Sequence, residues 1–268
     1  MNSLTVHIEL ELEQRQRKEE GCIAWVTVHN ESRRNALTSL LMNDLAEVFC
    51  KLKANESLRA AVLTGAGEKA FSGGVDIEEM AGLMPSEAKA FITGLHSVCQ
   101  AIRDLPVPVI ARIQGYALGG AMEIAASCDL RIAGESARFG MPEVRLGIPS
   151  VIEAALLPRL IGWGWTRRLL LLGEVISAQE ALGCGFVERV VEDSQLDQAV
   201  EEWLAMLVSA GPQAIRAQKA LIQKWEDAPL SQSITMGIEA FHSAYQSGEP
   251  QRMMRDFLDA RRQQAKQP

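Results

Sequence analysis

Residues 114–126 read Gln114-Gly115-Tyr116-Ala117-Leu118-Gly119-Gly120-Ala121-Met122-Glu123-Ile124-Ala125-Ala126. They follow the apolar, β-branched run Val107 to Ile113 and lead into small apolar residues as far as Ser127. A strand therefore passes into a helix through a glycine pair. Glycines at such a point open backbone conformations closed to other residues and let a ligand approach the main chain. The first turn of the helix leaves N–H groups without partners, that of Gly120 among them, and favours negative charge. Glu123 sits in that first turn. Two readings follow: a helix start that binds a developing anion beside a carboxylate, or a close helix-to-sheet contact in which Glu123 is only an N-terminal helix acid.

Outward from this unit the same alternation continues. Short β-rich runs occur at Ala60 to Thr64, Leu130 to Ala133 and Phe186 to Val191, with helical patterns near Glu87 to Leu105 and Trp163 to Leu172. Upstream, Thr5 to Leu12 and Cys22 to Val28 alternate polar and apolar residues around the polar Gln14 to Gly21, which predicts a β-hairpin. Thr38 is the expected N-cap of a helix with Leu40, Leu41, Leu45, Val48, Phe49 and Leu52 on one side. Strands alternating with helices predict an α/β fold. From Ser194 the pattern becomes all-helical: Leu196 to Ser209, Pro212 to Trp225, Leu230 to Ser247 and Pro250 to Gln263. Pro212 and Pro250 suit first-turn positions. The expected organisation is an α/β core over 1–193 and a helical region over 194–268, with no strict sequence repeat.

Composition narrows the function. The 268 residues carry 27 Lys plus Arg against 34 Asp plus Glu, a net charge of −7. A general nucleic-acid binder needs a basic surface, so that class is disfavoured. With 47% hydrophobic and 23% charged residues the chain has the composition of a globular protein. Cys22, Cys50, Cys99, Cys128 and Cys184 show no Cys-x-x-Cys spacing, and His7, His29, His96 and His242 form no local pair, so no metal site is expected. The cysteines read as buried, reduced thiols of a cytoplasmic protein. Met1 to Leu12 lacks a basic segment followed by an apolar one, so no signal peptide is expected, and no apolar run approaches the ~18 residues of a membrane span.

Three further stretches carry candidate chemistry. Gly65-Ala66-Gly67-Glu68-Lys69-Ala70 fits a G-x-G-x-x-A dinucleotide pattern. Gly73 and Gly74 fall where the helix should begin and would cost it about 1 kcal/mol each, which favours an ordinary surface turn over a nicotinamide-enzyme site. Phe71-Ser72-Gly73-Gly74-Val75-Asp76-Ile77 is either a tight turn or a place where the Val75 N–H faces a ligand. In Phe139-Gly140-Met141-Pro142-Glu143-Val144-Arg145-Leu146-Gly147-Ile148-Pro149, Pro142 constrains the direction of Glu143, whose default in isolation is a solvent-facing loop acid. A solvated face is likewise the default for Arg33 and Arg34.

Taken in order, the segments Arg33-Arg34-Asn35-Ala36-Leu37, Lys69 to Ile77, Gly115 to Glu123 and Phe139 to Glu143 resemble the crotonase (enoyl-CoA hydratase/isomerase) superfamily over most of the chain. The resemblance implies a spiral of strand–strand–helix turns capped by C-terminal helices, assembled as a homotrimer or homohexamer. It implies an acyl-CoA thioester substrate, with coenzyme A part of that substrate and no separate cofactor. The thioester oxygen would be held by the N–H groups of Val75 and Gly120, with Gly74, Asp76 and Ile77 beside it. Glu123 and Glu143 match the two glutamates of a hydratase: Glu123 would orient and activate water, and Glu143 would exchange the Cα proton. Phe257 and Arg261 match a C-terminal helix near the adenine, Arg33 and Arg34 are alternatives at the ribose-phosphate end, and Ala36 is a further CoA- or substrate-binding position. Residues 251–268 carry a local charge of +3. One departure stands out: Ser150-Val151-Ile152-Glu153-Ala154-Ala155-Leu156 replaces the glycine-rich turn usual in hydratases. The expectation is a tighter wall and a short acyl group, branched or sulfur-bearing ones such as methylthioacryloyl-CoA included. The same scaffold hosts isomerases and thioester hydrolases, and a non-catalytic acyl-CoA binder is the alternative outside enzymology.

Overall fold

A computed structural model describes residues 5–13 and 21–264. The predicted hairpin forms: β1 (Thr5–Glu13) pairs antiparallel with β2 (Gly21–His29), while the polar residues 14–20 that would turn it lie outside the described residues. Thr38 caps α1 (Ser39–Lys53), its hydroxyl accepting from the Leu41 N–H at 3.2 Å. Leu41, Leu45, Val48, Phe49 and Leu52 face the core as expected, but Leu40 is 55% exposed. It lies on the flank of the helix, where a 100° step per residue carries it past the edge of the apolar stripe.

Two sheets organise the rest. The larger has the order β1-β2-β3-β5-β7-β10, built from β3 (Leu58–Gly65), β5 (Val109–Ile113), β7 (Leu130–Gly134) and β10 (Arg189–Val191), parallel beyond the first hairpin. The smaller has the order β4-β6-β8-β9, from β4 (Ala70–Ser72), β6 (Tyr116–Leu118), β8 (Arg138–Gly140) and β9 (Val175–Ser177). β3, β5 and β7 of the first sheet are each followed by a short strand of the second and then by helical structure. β3 and β4 lead to α2 (Ile77–Ala81) and α3 (Pro85–Arg103), and β5 and β6 lead to α4 (Gly120–Ser127). After β7 and β8 come 3-10 turns at Pro142–Leu146 and Ile152–Leu156, then α5 (Leu157–Leu172). The short strands escape sequence reading because three residues carry no periodicity.

The core lies between the sheets and α1, α3 and α4. Phe49, Phe139, Phe186, Leu95 and Ile102 are among its fully buried side chains. α4 has no solvent face: all eight residues are buried, Glu123 included. α6 (Ala178–Cys184) precedes β10, and the helical region begins with α7 (Leu196–Ser209), whose Leu196, Ala199, Val200, Leu204 and Val208 pack on Ile23, Val62, Ile110 and Ile132 of the larger sheet. It continues with α8 (Pro212–Asp227), α9 (Leu230–Ala244) and α10 (Glu249–Gln264). The predicted α9 ran to Ser247; residues 245–247 form a 3-10 turn ended by Gly248 at φ +72. The five cysteines are free thiols, and three, Cys22, Cys99 and Cys128, are buried as expected. Cys50 is exposed and Cys184 half-buried, because Cys50 falls on the solvent side of α1.

Candidate active site

Two glycine pairs meet at the start of α4. Gly119 takes φ +54, ψ −124, a backbone open to glycine alone, and turns the end of β6 into the helix. Gly74 takes φ +94, and a Cβ there would lie 2.6 Å from the Leu118 carbonyl oxygen and 3.6 Å from the Gly120 nitrogen. A Cβ on Gly120 would lie 3.4 Å from Val75 Cγ1. The segments around Val75 and Gly120 are thus in contact although 45 residues separate them. On the Val75 side, Leu37 donates its N–H to the Gly74 carbonyl at 2.8 Å and accepts the Asp76 N–H at 2.9 Å. These bonds skip Val75, and neither the Val75 nor the Gly120 N–H has a main-chain acceptor among the described residues. Two donors set side by side with no protein acceptor can receive an oxyanion.

Glu143 borders this corner, and Glu123 lies in the first turn of the helix that leaves it. Glu123 is 3% exposed and its Oε1 accepts the Ala154 N–H at 3.0 Å. Burial pushes its carboxyl from an ordinary 4.5 up to about 8, opposed by the Ala154 hydrogen bond and assisted by the charges of Glu143 and Glu153. Glu143 stands on the 3-10 turn that Pro142 opens, and it is half-buried, not the solvent-facing loop acid of the default reading. A Cβ on Gly119 would come within 2.4 Å of Glu143 Oε1, so the left-handed glycine leaves room for that carboxylate. Ser150 Oγ donates to Glu143 Oε2 at 2.8 Å.

A family model described as enoyl-CoA hydratase/isomerase matches residues 18–268. The chain belongs to the enoyl-CoA hydratase/isomerase family. It is similar to the short-chain-enoyl-CoA hydratase of Clostridium acetobutylicum, 36% identical over 91% of this chain and 94% of that one. The crotonyl-CoA hydratase of Syntrophomonas wolfei subsp. wolfei is 31% identical over 91% of this chain and 95% of its own. Among solved structures, the enoyl-CoA hydratase of Bacillus anthracis superposes with a TM-score of 0.87 at 31% identity, covering 94% of this chain and 96% of that one. The α/β spiral is therefore the fold of this enoyl-CoA hydratase/isomerase family member.

The remaining candidate residues divide. Arg33 pairs with Asp76 and Glu78, and Asp76 also caps α2 by accepting the Glu79 N–H at 3.0 Å. Burial works to raise the Asp76 carboxyl, but the Glu79 N–H and Arg33 outweigh it and hold it below the usual range. These two predicted CoA contacts therefore engage each other. Arg34 lies over the Tyr116 ring, 5.2 Å from its centroid. Ala36 accepts from Asn30 Nδ2 at 2.9 Å, and Ile77 opens α2 at 55% exposure. Phe257 and Arg261 are not brought to the glutamates: both are exposed on α10, which packs on the 245–247 turn. Lys266 of the same basic stretch lies outside the described residues.

Several supporting residues were not singled out from sequence. Asn35, 1% exposed with φ +55, donates to the Ala66 and Ala70 carbonyls at 2.9 and 2.8 Å and accepts the Asn30 N–H at 3.0 Å. Gln114 donates to the Gly65 and Gly67 carbonyls, closing the Gly65–Gly67 turn that mimicked a dinucleotide pattern. Ser150 and Glu153 lie in the stretch expected to tighten the acyl wall, and each holds a polar contact there: Ser150 with Glu143 and Glu153 with His96. Among the described residues no group of three or more His, Cys, Asp or Glu could hold a metal, and no helix is long and apolar enough to cross a membrane.

Proposed function

We propose that this protein is an enoyl-CoA hydratase that adds water across the double bond of a short 2-enoyl-CoA. The observation that carries the reading is a pair of neighbouring backbone N–H groups with no acceptor among the described residues, with Glu143 against Gly119 and Glu123 buried in the helix that Gly120 opens. Similarity to the hydratases of Clostridium acetobutylicum and Syntrophomonas wolfei, named for short-chain-enoyl-CoA and crotonyl-CoA, supports the reaction and the chain length.

The chemistry follows from charge. Hydroxide addition at Cβ drives electrons onto the thioester oxygen, and the Val75 and Gly120 N–H groups stabilise that oxygen, each worth roughly 10²–10³ in rate. Glu123 takes the proton of the attacking water. Glu143 gives a proton to Cα, and the reverse sequence dehydrates a 3-hydroxyacyl-CoA. One carboxyl must be ionised while the other is protonated, so the pair works with a single proton shared between them. Burial raises the proton affinity of Glu123, which suits it to accept the proton of water during hydration and to return it to the leaving hydroxyl during dehydration.

Within this reading the acyl group is about four carbons long, and branched or sulfur-bearing chains such as methylthioacryloyl-CoA are admitted. Arg34 and Arg33 serve the phosphate end of CoA, with Phe257 and Arg261 at the adenine. Residues 194–268 supply assembly as a homotrimer or homohexamer, supported by exposed apolar side chains such as Leu230, Ile238 and Phe241 on α9. The test is incubation with crotonyl-CoA. Formation of 3-hydroxybutyryl-CoA is expected, whereas free CoA would indicate thioester hydrolysis, a moved double bond isomerisation, and binding without turnover a non-catalytic homologue.

A further inference from the structure

Outside the Glu123–Glu143 pair, the acid with the least ordinary surroundings is Glu153. Its side chain is 9% exposed, Oε1 lies 2.7 Å from His96 Nδ1 on α3, and Oε2 is buried with no hydrogen-bond partner among the described residues. A carboxylate so placed is costly unless its fixed position is used. The residue before it, Ile152, has φ +42, a left-handed conformation that a β-branched side chain resists by about 1–3 kcal/mol. The residue after it, Ala154, gives its N–H to Glu123, and Ser150 at the head of the same segment gives its hydroxyl to Glu143. One strained segment therefore holds both glutamates, and Glu153 ties it to α3.

We propose that His96 and Glu153 are positioning residues for the Glu123–Glu143 pair: their hydrogen bond locks the 150–156 segment against α3 and so aims Ser150 Oγ and the Ala154 N–H at the two glutamates. This rests on the hydratase reading above. The charge of Glu153 adds a second effect, because it opposes ionisation of Glu123, as Glu143 also does. After burial, the same charge pushes the Cys99 thiol up. The titratable groups facing Glu123 from the elements around it are Glu143 on the 142–146 turn, Glu153 on the 152–156 turn, and Cys99 on α3, with His96 behind Glu153. Removing the Glu153 charge must therefore lower the pH at which Glu123 gives up its proton.

The experiment assays the full chain and its variants E153Q, H96A and H96N on crotonyl-CoA across neutral and alkaline pH, with melting temperatures beside them. E153Q is expected to lower kcat about 10-fold with KM changed less than about 3-fold. Its alkaline limb should move to lower pH by roughly half a unit or more, since a like charge has gone. H96A should lower kcat in the same way, and H96N should recover most of it because its amide takes the place of Nδ1. Wild-type kcat and an unmoved limb in E153Q would overturn the proposal, as would a fall in melting temperature with both unchanged. If E153Q does not fold, equal activity of H96A and H96N overturns it. A wild-type chain that leaves crotonyl-CoA unchanged would instead refute the hydratase reading, a result distinct from active wild type with indifferent variants.

Discussion

Ser150 Oγ donates a 2.8 Å hydrogen bond to Oε2 of Glu143. The bond reaches Glu143 from the residue that opens the 150–156 segment. A hydrogen bond to a charged group contributes about 1.5–3 kcal/mol when its loss leaves the charge unsatisfied. Ser150→Ala is expected to lower kcat on crotonyl-CoA about 10-fold with little effect on KM. Unchanged kcat would show that the hydroxyl does not orient Glu143.

Glu123→Gln and Glu143→Gln should each lose at least ~10² in turnover while still binding CoA, as expected for groups that move protons. The double variant should lose less than the product of the two single losses, because the pair acts as a unit. Steady-state kinetics and a CoA titration check both statements, and a single variant with near-native hydration would remove the mechanism.

The raised carboxyl of Glu123 sets the pH dependence. With its last proton leaving near about 8, the shared-proton form of the pair disappears above that pH. Values of kcat/KM for hydration and for dehydration should fall together there. Stability carries the same signature with a definite sign. The folded chain binds this proton more tightly than the unfolded one, so the contribution is complete below 4.5 and is lost as pH rises towards about 8. Glu123→Gln, which cannot ionise, should therefore melt higher relative to wild type at pH 9 than at pH 5, each kcal/mol being worth about 2–4 °C in a chain of this size. A gap independent of pH would show that Glu123 is not held protonated.

Gly120→Pro deletes one proposed oxyanion donor and places proline at the first position of α4, where its ring is tolerated. A Cβ there meets Leu95 Cδ2 at 2.7 Å, so Gly120→Ala is the control that adds the crowding and keeps the N–H. Turnover should fall by at least ~10² in the proline variant and much less in the alanine variant, with circular dichroism unchanged in both. Equal losses would assign the effect to packing against Leu95 and place the oxyanion site elsewhere.

Chain length tests the 150–156 segment. Higher kcat/KM for a four-carbon than for a ten-carbon enoyl-CoA is expected, by a modest factor, since one methylene discriminates by only ~10–200-fold in an apolar pocket. The reverse order would show that this segment does not close the acyl pocket.

The chain's own local code reaches far into this molecule. The passage from β5 towards α4, the Thr38 cap, the boundaries of α4 and α7 and the pairing of Gly74 with a special backbone are all legible because each depends on residues within a few positions of one another. The candidate residues Val75, Gly120, Glu123 and Glu143 are legible through motifs in register, which sequence carries as order along the chain. Their meeting is a tertiary matter: it depends on Gly74 lying against Leu118 and on Gly119 leaving space for Glu143, contacts made across tens of residues. Glu153 and His96 are the clearest case. In sequence one is an acid in a loop and the other an isolated histidine, 57 positions apart, with nothing local to mark either. Only packing of the 150–156 segment on α3 excludes water from the carboxylate and sets it beside the imidazole, and burial turns an ordinary ionisable pair into a candidate control of the site.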